Sequence, residues 1–410
     1  MRLFYNPTME TSSQYKKYTI IIGFAEALSA PEVVWSLVDN GFNVVVFSRR
    51  GSNSPLRRSK KIKIAEVCPP ETNVTHTISD LKNVINCFTP NIIMPLDDRA
   101  VWICDKIAAL VNTKNAGPMG MQADLALDKR LQIDAAARAG LRIIPTHNVS
   151  NHEDLSKIND FPVLLKPAMS IVETDQKLIS GRHYRCTSKS ELMNVTRTWT
   201  GTYPMVAQPI ISGIGEGIFG LSTDTGVKAW SAHRRIRMMN PLGSGSSACE
   251  SVQITDQPID LLERMFTETN WRGIFMVEML RDTQNQLWFM EMNGRCWGSM
   301  ALARRRGYEY PLWSILYTID PFFQPPIPAI YEDIVCRHLG REIIHILMVL
   351  RGPQSSAVSS WPSLGRTILD VLRIKRNHAW YNWHKGETLF FIEDTYRTVS
   401  NILRKKFRTG

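Results

Sequence analysis

The sequence predicts a multidomain protein that combines an α/β domain with an α+β region. Three observations support this class. The 410 residues exceed the length of one ordinary domain. Strand and helix patterns alternate over residues 18–115, and short strands separated by turns dominate from residue 161 onward. We therefore expect a lead-in over residues 1–17, domains over 18–115 and 116–320, and a linker with a basic, mostly helical region over 321–410.

Residues 18–115 are predicted to form a doubly wound domain with a parallel sheet. An apolar run over residues 18–22 ends at Gly23, an amphipathic segment runs from Pro31 to Gly41, and residues 44–47 form a second apolar run. Proline favours the first turn of a helix and glycine its end, so this is the order strand, helix, strand. A helix over residues 78–88 and a strand over 92–94 repeat the pattern. Asp97 and Asp98 follow at the carboxyl edge, where parallel sheets bind ligands.

The next region is predicted to be antiparallel. A single helix over residues 124–139, ended by Gly140, leads into strands over residues 163–166, 183–186, 205–211, 218–222 and 227–235. A helix over residues 258–269 and two strongly apolar strands over 274–280 and 287–292 complete it. The motif at Gly215, Gly217 and Gly220 matches a dinucleotide fingerprint. A hairpin follows it rather than a helix, so we interpret it as a turn that presents Glu216.

The two apolar strands carry the sharpest chemical signal. Glu278 interrupts the first strand, and Glu291 and Asn293 interrupt the second. Residues two apart on a strand share a face, and a hairpin brings Glu278 beside them. Buried carboxylates need a positive partner, and this donor set suits Mg²⁺. An alternating strand with its polar face in water is the alternative.

Basic residues precede this acidic hairpin. Lys129 lies on the helix before the antiparallel region, Lys166 ends a strand, and residues 233–237 contain three arginines. Each alone is typical of a solvated surface. Together they suit a triphosphate, whose desolvation requires metal ions and fixed cations.

The order of these signals resembles the ATP-grasp superfamily, most closely its carbamoyl-phosphate-synthetase-like branch of carboxylate-amine ligases. The resemblance covers residues 18–320, as a pre-ATP-grasp domain followed by an ATP-grasp core. It rests on five matching groups of segments: 115–118 with 127–129, 161–167, 208–213, 233–235 with 243–247, and 277–278 with 291–295. Two segments depart from the family pattern. Residues 168–175 contain no glycine, and Pro209 stands where an acidic residue is common.

The resemblance implies an activity and a set of site residues. A carboxylate would attack the γ-phosphate of ATP, and an amine or similar nucleophile would displace phosphate from the acyl phosphate. The implied residues are, for nucleotide binding, Lys129, Lys166, Gln208, Ile210, Ile211 and Glu216 (on the ribose); for two Mg²⁺ ions, with Mn²⁺ as a substitute, Glu278, Glu291 and Asn293; and for catalysis, Arg235 and Arg295. The alternatives are a degenerate ATP-grasp scaffold that binds nucleotide without turnover and, behind it, a basic C-terminal nucleic-acid surface.

Composition limits the partners and the compartment. Seven scattered cysteines without a CxxC motif suggest a reduced, cytoplasmic protein. No apolar run is long enough to cross a membrane, and residues 1–17 lack a secretory signal. The net charge of +11 suits an anionic partner. We expect small-molecule carboxylate and amine substrates and no nucleic acid, and a homodimer is left open.

The C-terminal region contains an amphipathic segment over residues 334–350. Its predicted apolar face comprises Ile334, Val335, Leu339, Ile343, Ile346, Leu347 and Leu350, and the opposite face carries Arg337, Arg341 and Glu342. We expect the apolar face to dock onto the rest of the chain near the site and to shape the acceptor-substrate pocket. The basic cluster over residues 404–408 is expected to stay in solvent.

Overall fold

The computed structural model describes residues 15–328 except Leu242 and Ser244, and residues 333–353 and 361–407. The predicted lead-in therefore lies outside the described residues as far as residue 14, as do Ser244 of the 243–247 segment and Arg408 of the basic cluster. Parallel and antiparallel sheets both occur, which confirms the predicted fold class. In the described ranges no helix combines the length and apolarity that crossing a bilayer requires.

A parallel sheet forms the first domain, as predicted. Its strands and helices are β1 (Thr19–Gly23), α1 (Ala30–Asp39), β2 (Asn43–Arg49), β3 (Lys63–Val67), α2 (Val74–Phe88), β4 (Ile92–Pro95), α3 (Asp98–Ala108) and β5 (Lys114–Asn115), in the strand order β3-β2-β1-β4-β5. Central β1 is buried on both faces, with Ile20 and Ile22 in one core cluster and Ile21 in another. The strand order reverses beside β1, so the loops after β1 and β4 flank the usual ligand crevice of such sheets.

Two helices replace the single helix predicted over residues 124–139, and that prediction was wrong. They are α4 (Met121–Leu127) and α5 (Lys129–Arg138). Asp128 between them has extended backbone angles, and its carboxylate accepts from the Arg130 N–H at 2.8 Å. An aspartate that caps the second helix competes with helix continuation. The break places Lys129 at the first position of α5.

A four-stranded sheet in the order β10-β7-β11-β6 follows. Its elements are β6 (His147–Val149), α6 (His152–Ser156), β7 (Val163–Pro167), β10 (Tyr184–Cys186), α7 (Lys189–Thr198) and β11 (Met205–Pro209). The hairpin of β8 (Val172–Thr174) and β9 (Lys177–Ile179) forms a sheet of its own. The strand predicted over residues 205–211 ends at Pro209, which has no N–H to donate.

The largest sheet has seven strands in the order β16-β15-β12-β13-β14-β17-β18. They are β12 (Gly213–Thr223), β13 (Gly226–Met238), β14 (Ser246–Val252), β15 (Gly273–Asp282), β16 (Leu287–Asn293), β17 (Val335–Arg337) and β18 (His378–Trp380). The helices α8 (Ile259–Glu268), α9 (Met300–Arg305) and α10 (Tyr310–Ile319) pack around it. The glycine motif lies on β12, which turns back into β13. The motif is therefore not a dinucleotide fingerprint, as predicted. The predicted turn that presents Glu216 was wrong, because Gly215, Glu216 and Gly217 lie within the continuous strand β12 and pair with β15.

The C-terminal region is mostly helical, as predicted, with α11 (Leu339–Arg351), α12 (Leu364–Leu372) and α13 (Thr388–Phe407). Its short strand β17 pairs with β14, and β18 pairs with β17. These strands extend the seven-stranded sheet, so β17 and β18 join the C-terminal region to the rest of the chain through backbone hydrogen bonds. Helix α13 packs against the first domain near Pro55–Arg58.

The predicted docking of residues 334–350 is confirmed, but the predicted face was wrong. The residues of α11 that face inward are Gly340, Arg341, Glu342, Ile344, His345 and Val349, whereas Leu350 is 63% exposed. The Glu342 carboxylate accepts from Arg237 at 2.8 Å and from Arg337 at 2.9 Å. Apolar periodicity alone could not anticipate this orientation, because partners on β13 and β17 neutralise the buried carboxylate.

Arg337 connects the elements of the C-terminal region. Its side chain has no solvent exposure. It donates to Glu342 and to two carbonyl oxygens at the end of α12, those of Val371 and Arg373. Its guanidinium also lies 5.1 Å from the centre of the Trp380 ring on β18. A planar cation with several donors can hold four chain segments at once.

We expect Glu342→Gln to lower the free energy of unfolding by about 3–5 kcal/mol, because it leaves Arg337 and Arg237 without their anion. Urea denaturation of the full chain measures this change. The matched control is Glu263→Gln at an exposed position of α8, with an expected change below about 0.5 kcal/mol. Equal free energies of unfolding for the two variants would contradict a stabilising role of the ion pair between Glu342 and its two arginines.

Candidate active site

Two carboxylates lie side by side at one edge of the seven-stranded sheet. Glu278 on β15 is the direct register partner of Glu291 on β16, and Asn293 follows two residues later opposite Met276. The predicted hairpin geometry is therefore confirmed. The side chains of Glu278 and Glu291 are 23% and 33% exposed to solvent. The pair is accessible from one side and otherwise surrounded by protein.

Arg235 neutralises the first carboxylate from two strands away. Its Nη2 donates to Glu278 Oε2 at 2.6 Å, although β12 lies between β13 and β15. The arginine crosses β12 at Gly215, where a Cβ would lie 3.0 Å from Arg235 Cδ. The missing side chain gives the arginine its path. Burial raises the pKa of Glu278, and the negative charge of Glu291 raises it further. The positive charge of Arg235 lowers it, but the net effect is a raised pKa.

Two lysines face the second carboxylate. Lys129 Nζ lies 3.3 Å from Glu291 Oε2. Burial would raise the pKa of Glu291, but the charges of Lys129 and Lys166 outweigh it and hold that pKa below its ordinary value. Burial lowers the pKa of Lys166, and Lys129 adds to this, while Glu291 and Glu278 oppose it. The two lysines and the acid pair therefore belong to one electrostatic cluster.

Backbone contacts bring these lysines together. The Lys129 N–H donates to the carbonyl oxygen of Ala168 at 2.8 Å, just past the end of β7 that carries Lys166. One helical turn further along α5, the Gln132 side chain exchanges two hydrogen bonds of 2.9 Å with the backbone of Met292. Met292 lies between Glu291 and Asn293. Because β16 is the edge strand of its sheet, these two hydrogen bonds take the place of a neighbouring strand, and they hold β16 next to the helix that carries Lys129.

The donor set fits a Mg²⁺ ion. Glu278, Glu291 and Asn293 offer oxygen ligands from adjacent strands, and Mg²⁺ is typically held by one or two carboxylates together with substrate phosphates and water. No cluster of three or more histidine, cysteine or acidic side chains that could cage a metal ion occurs in the part of the chain that the structure describes. Metal binding by these residues remains a prediction.

Arg295 links the acid hairpin to the first domain. Its Nε donates to Asp98 Oδ1 at 2.5 Å, at the start of α3. Burial would lower the pKa of Arg295, but Asp98 raises it well above the ordinary value. The neighbouring Asp97 accepts from Arg49 at 3.3 Å, and Arg49 also donates to Glu26 at 3.0 Å. The carboxyl edge of the parallel sheet is therefore connected to the acid hairpin by the ion pair of Arg295 with Asp98, beside which Arg49 pairs with Asp97 and Glu26.

Three of the predicted nucleotide-binding residues lie at the end of β11: Gln208 within the strand, and Ile210 and Ile211 just after it. Gln208 is buried, and its Nε2 donates to Thr146 Oγ1 at 2.9 Å. The Ile210 N–H donates to the Pro162 carbonyl oxygen at 3.2 Å. The side chain of Gln208 and the N–H of Ile210 thus fix this segment to neighbouring backbone and side-chain groups. Together with Ile211, they remain predicted nucleotide contacts.

Glu216 has internal partners. Its side chain has no exposure, and it accepts from Arg281 at 2.8 and 2.9 Å, from Arg234 at 3.1 Å and from Gln257 at 3.0 Å. Burial would raise the pKa of Glu216, but these donors hold it below the ordinary value. A carboxylate with this many partners cross-links β12, β13 and β15. The geometry gives no support to the predicted ribose contact.

The glycine-poor segment after Lys166 forms the β8–β9 hairpin, which contacts the first domain. The Val74 N–H donates to Gln176 O at 2.7 Å, and the Leu178 N–H donates to Pro70 O at 2.8 Å. Ile171 and Leu178 are buried in a core cluster of the first domain. Packing against the first domain therefore holds the β8–β9 hairpin in one conformation, which a glycine-rich loop would not adopt by itself.

Four further residues complete the site. Gln132 and His183 were not predicted to belong to it, and Asp98 and Gly215 were noted without the contacts that they make. Asp98, Gln132 and Gly215 position site residues, and His183 lies close enough to Lys129 and Lys166 that partial burial and their charges lower its pKa. The signal for Asp98 was its place after β4. The glycine motif did not show that Gly215 makes room for Arg235, and no local signal marked Gln132, because each acts on a strand that is distant in sequence.

A cavity of about 850 Å³ lies at the carboxyl edge of the parallel sheet, apart from the acid pair. Its walls are the loops after β1 and β2 and the helix α13, and its lining includes Glu26, Leu28, Arg58, Phe390 and Tyr396. Glu26 also receives the hydrogen bond from Arg49. Helix α13 lines this cavity, and residues 334–350 are not part of its lining. The role of residues 334–350 in shaping an acceptor-substrate pocket stays a prediction.

No protein-family model matches the sequence, and no curated protein matches it significantly. Solved structures do match the fold. The L-amino acid ligase from Bacillus licheniformis has 16% identity and a TM-score of 0.58 over 74% of each chain. A biotin carboxylase from Campylobacter jejuni, solved with a β,γ-ATP compound, has 16% identity and a TM-score of 0.59 over 77% of this chain and 74% of its own.

A third structure extends the comparison. The N5-carboxyaminoimidazole synthase from Aspergillus clavatus, in complex with ADP and 5-aminoimidazole ribonucleotide, has 12% identity and a TM-score of 0.61. The alignment covers 78% of this chain and 81% of that one. At these identities the comparisons establish the fold. The chain has the ATP-grasp fold, as the sequence resemblance implied.

We expect Glu216→Gln to lower the free energy of unfolding by about 3–5 kcal/mol, since Arg234 and Arg281 would lose their shared buried anion. Chemical denaturation without added ligand measures this. The double variant Glu216→Gln/Arg281→Gln should be less destabilised than the sum of the two single variants. Strict additivity would contradict the anchoring role of this carboxylate.

Proposed function

We propose that this chain, which has the ATP-grasp fold, is an ATP- and Mg²⁺-dependent ligase that joins a carboxylate to an amine or similar nucleophile. The carboxylate attacks the γ-phosphorus, ADP leaves with the pair of electrons of the broken P–O bond, and an acyl phosphate forms. The nucleophile then attacks the acyl carbon and releases phosphate. This route requires positioned charges rather than a protein nucleophile.

The observation that carries the proposal is the paired Glu278 and Glu291 with cations from separate elements. Arg235 comes from β13, Lys129 from α5 and Lys166 from β7. A structural ion pair needs no such convergence at an accessible edge. Desolvation of a triphosphate does need several fixed cations next to a metal site.

The acid pair and Asn293 would hold the Mg²⁺ ions, with Mn²⁺ as a substitute. Bound there, the metal would neutralise phosphate oxygens and help align the transferred group. Lys166 and Lys129 would bind phosphate oxygens. The backbone around Gln208 and Ile211 would contact adenine, and the docked β8–β9 hairpin would cover the phosphates and exclude water. Arg235 and Arg295 would stabilise the charge that develops on the transferred phosphoryl group.

The cavity beneath α13 is the proposed place for a ligase substrate. It opens at the carboxyl edge of the parallel sheet, which is the ligand edge of this domain class. The contacts from Glu26 through Arg49 to Asp97 run from its wall towards Asp98 and Arg295. Its lining mixes apolar and charged side chains, as a site for a small polar molecule requires.

We expect Glu291→Gln to abolish ATP consumption while the fold persists, because a neutral amide of the same shape is a weaker Mg²⁺ ligand. Phosphate release with ATP, Mg²⁺ and a panel of carboxylates and amines measures turnover, and circular dichroism checks the fold. The control is Glu268→Gln on the surface of α8. ATP consumption by Glu291→Gln at the wild-type rate would contradict the metal assignment.

We expect Lys166→Met to weaken nucleotide binding by a factor of about 5–150, which corresponds to about 1–3 kcal/mol for a charge-assisted contact. Methionine keeps most of the apolar stem and removes the ammonium group. Calorimetric titration with ATP and Mg²⁺ measures the affinity, and exposed Lys60→Met is the control. An unchanged affinity for ATP would contradict a role of Lys166 in binding nucleotide phosphates.

The same two assays separate the ligase from a nucleotide-binding scaffold. ATP binding that depends on Lys166, without phosphate release for any substrate pair in the panel, would favour the scaffold. Retention of the acid pair together with Arg235 and Lys129 supports turnover, because a scaffold has no chemical need for an accessible pair of carboxylates.

A further inference from the structure

A short helix of the C-terminal region presents apolar side chains to solvent. In α12 the residues that face inward are Thr367 and Val371. Leu369 and Leu372 on the outside are 69% and 70% exposed, and Ile374 just after the helix is 66% exposed. Exposed leucines scattered singly need no explanation, but several in one short segment mark an interaction surface.

Basic residues surround these side chains. The segment over residues 362–376 contains four basic residues and one acidic residue, and all of them are exposed: Arg366, Asp370, Arg373, Lys375 and Arg376. Asp370 lies 4.0 Å from Arg366 within the helix. Apolar side chains bordered by lysine and arginine are typical of helices that lie in the interface of an anionic bilayer.

We propose that this surface, defined as Ile368, Leu369, Leu372 and Ile374 with Arg366, Arg373, Lys375 and Arg376, seats on an anionic lipid bilayer. The leucine and isoleucine side chains would enter the boundary between headgroups and acyl chains. The basic side chains would extend to the phosphate level. The helix of nine residues is about 14 Å long, so it would lie along the membrane surface.

Charge complementarity favours a bilayer over two other occupants. In a twofold dimer the same patch meets itself, so its basic residues would face their own copies with one aspartate per chain to offset them. A nucleic acid would satisfy the cations but leave Leu369 and Leu372 uncovered, and the patch contains no aromatic ring on which a base could stack. An anionic bilayer matches both components.

The surface is far from the acid pair in the fold. Arg337 on β17 holds the end of α12 through the carbonyl oxygens of Val371 and Arg373. Strands β17 and β18 form one edge of the seven-stranded sheet, whereas β16, which carries Glu291, forms the other. Variants of the outward side chains of α12 should therefore leave the acid pair and its cations in place.

Vesicle flotation of the full-length protein tests the proposal. We expect it to float with phosphatidylcholine vesicles that contain phosphatidylglycerol, to stay in solution with phosphatidylcholine alone, and to bind less at high salt. Leu369→Glu/Leu372→Glu should reduce binding more than about tenfold, given the free energy of burying two leucines. Lys375→Glu/Arg376→Glu should reduce it about tenfold or more.

The matched control is Leu110→Glu in the first domain, where Leu110 is 56% exposed, and it should bind vesicles like the wild type. No flotation with anionic vesicles, equal binding to neutral vesicles, or full binding by Leu369→Glu/Leu372→Glu would overturn the proposal. So would light scattering that shows a wild-type dimer which Leu369→Glu/Leu372→Glu converts to monomer, since a second copy would then occupy the patch. None of these readouts depends on ligase activity.

Discussion

The side-by-side placement of Glu278 and Glu291 is the constraint on which the rest of the site depends. Antiparallel register makes the two residues direct partners, so their carboxylates cannot separate without a change in strand pairing. Two partly buried anions repel each other and lose hydration, and nearby cations must offset both costs. The protein supplies these cations from elements that approach the pair from different directions.

Several otherwise unexplained local features follow from this requirement. Gly215 lets Arg235 cross an intervening strand, and the break at Asp128 starts α5 at Lys129. Gln132 fixes β16 under the same helix. Each feature is unfavourable or neutral for its own element, since glycine weakens a strand and a helix break loses hydrogen bonds. Their value lies in the charge arrangement around the acid pair.

The C-terminal region repeats the same principle in a structural role. Buried Glu342 sits between Arg237 and Arg337, and Arg337 in turn holds the end of α12. A buried ion pair contributes little net stability compared with apolar packing, but it enforces one arrangement because any other leaves charges unpaired. The arrangement turns the charged side of α11 inward and leaves the leucines of α12 outside. In this way one internal ion pair sets the chemistry of an external surface.

The sequence by itself determined the element types and the local partners. The order of strands and helices identified the parallel first domain, and the period of two placed Glu291 and Asn293 on one face of β16 next to Glu278. These features depend on residues close in sequence, for which apolar periodicity and turn residues are strong signals. The ordered motifs from Lys129 to Arg295 also implied the ATP-grasp fold.

Only the tertiary structure decided which charged residues meet. The sequence suggested a carboxylate presented at Glu216 and placed Arg337 and Glu342 on the face opposite the docking face, yet all three are buried in ion pairs. Conversely, the sequence indicated no partner for Asp98, whereas in the structure Arg295 from the distant acid hairpin donates a hydrogen bond to it. Burial of a charge depends on whether a partner arrives from another element. That partner is fixed by strand order and packing, which local periodicity does not encode.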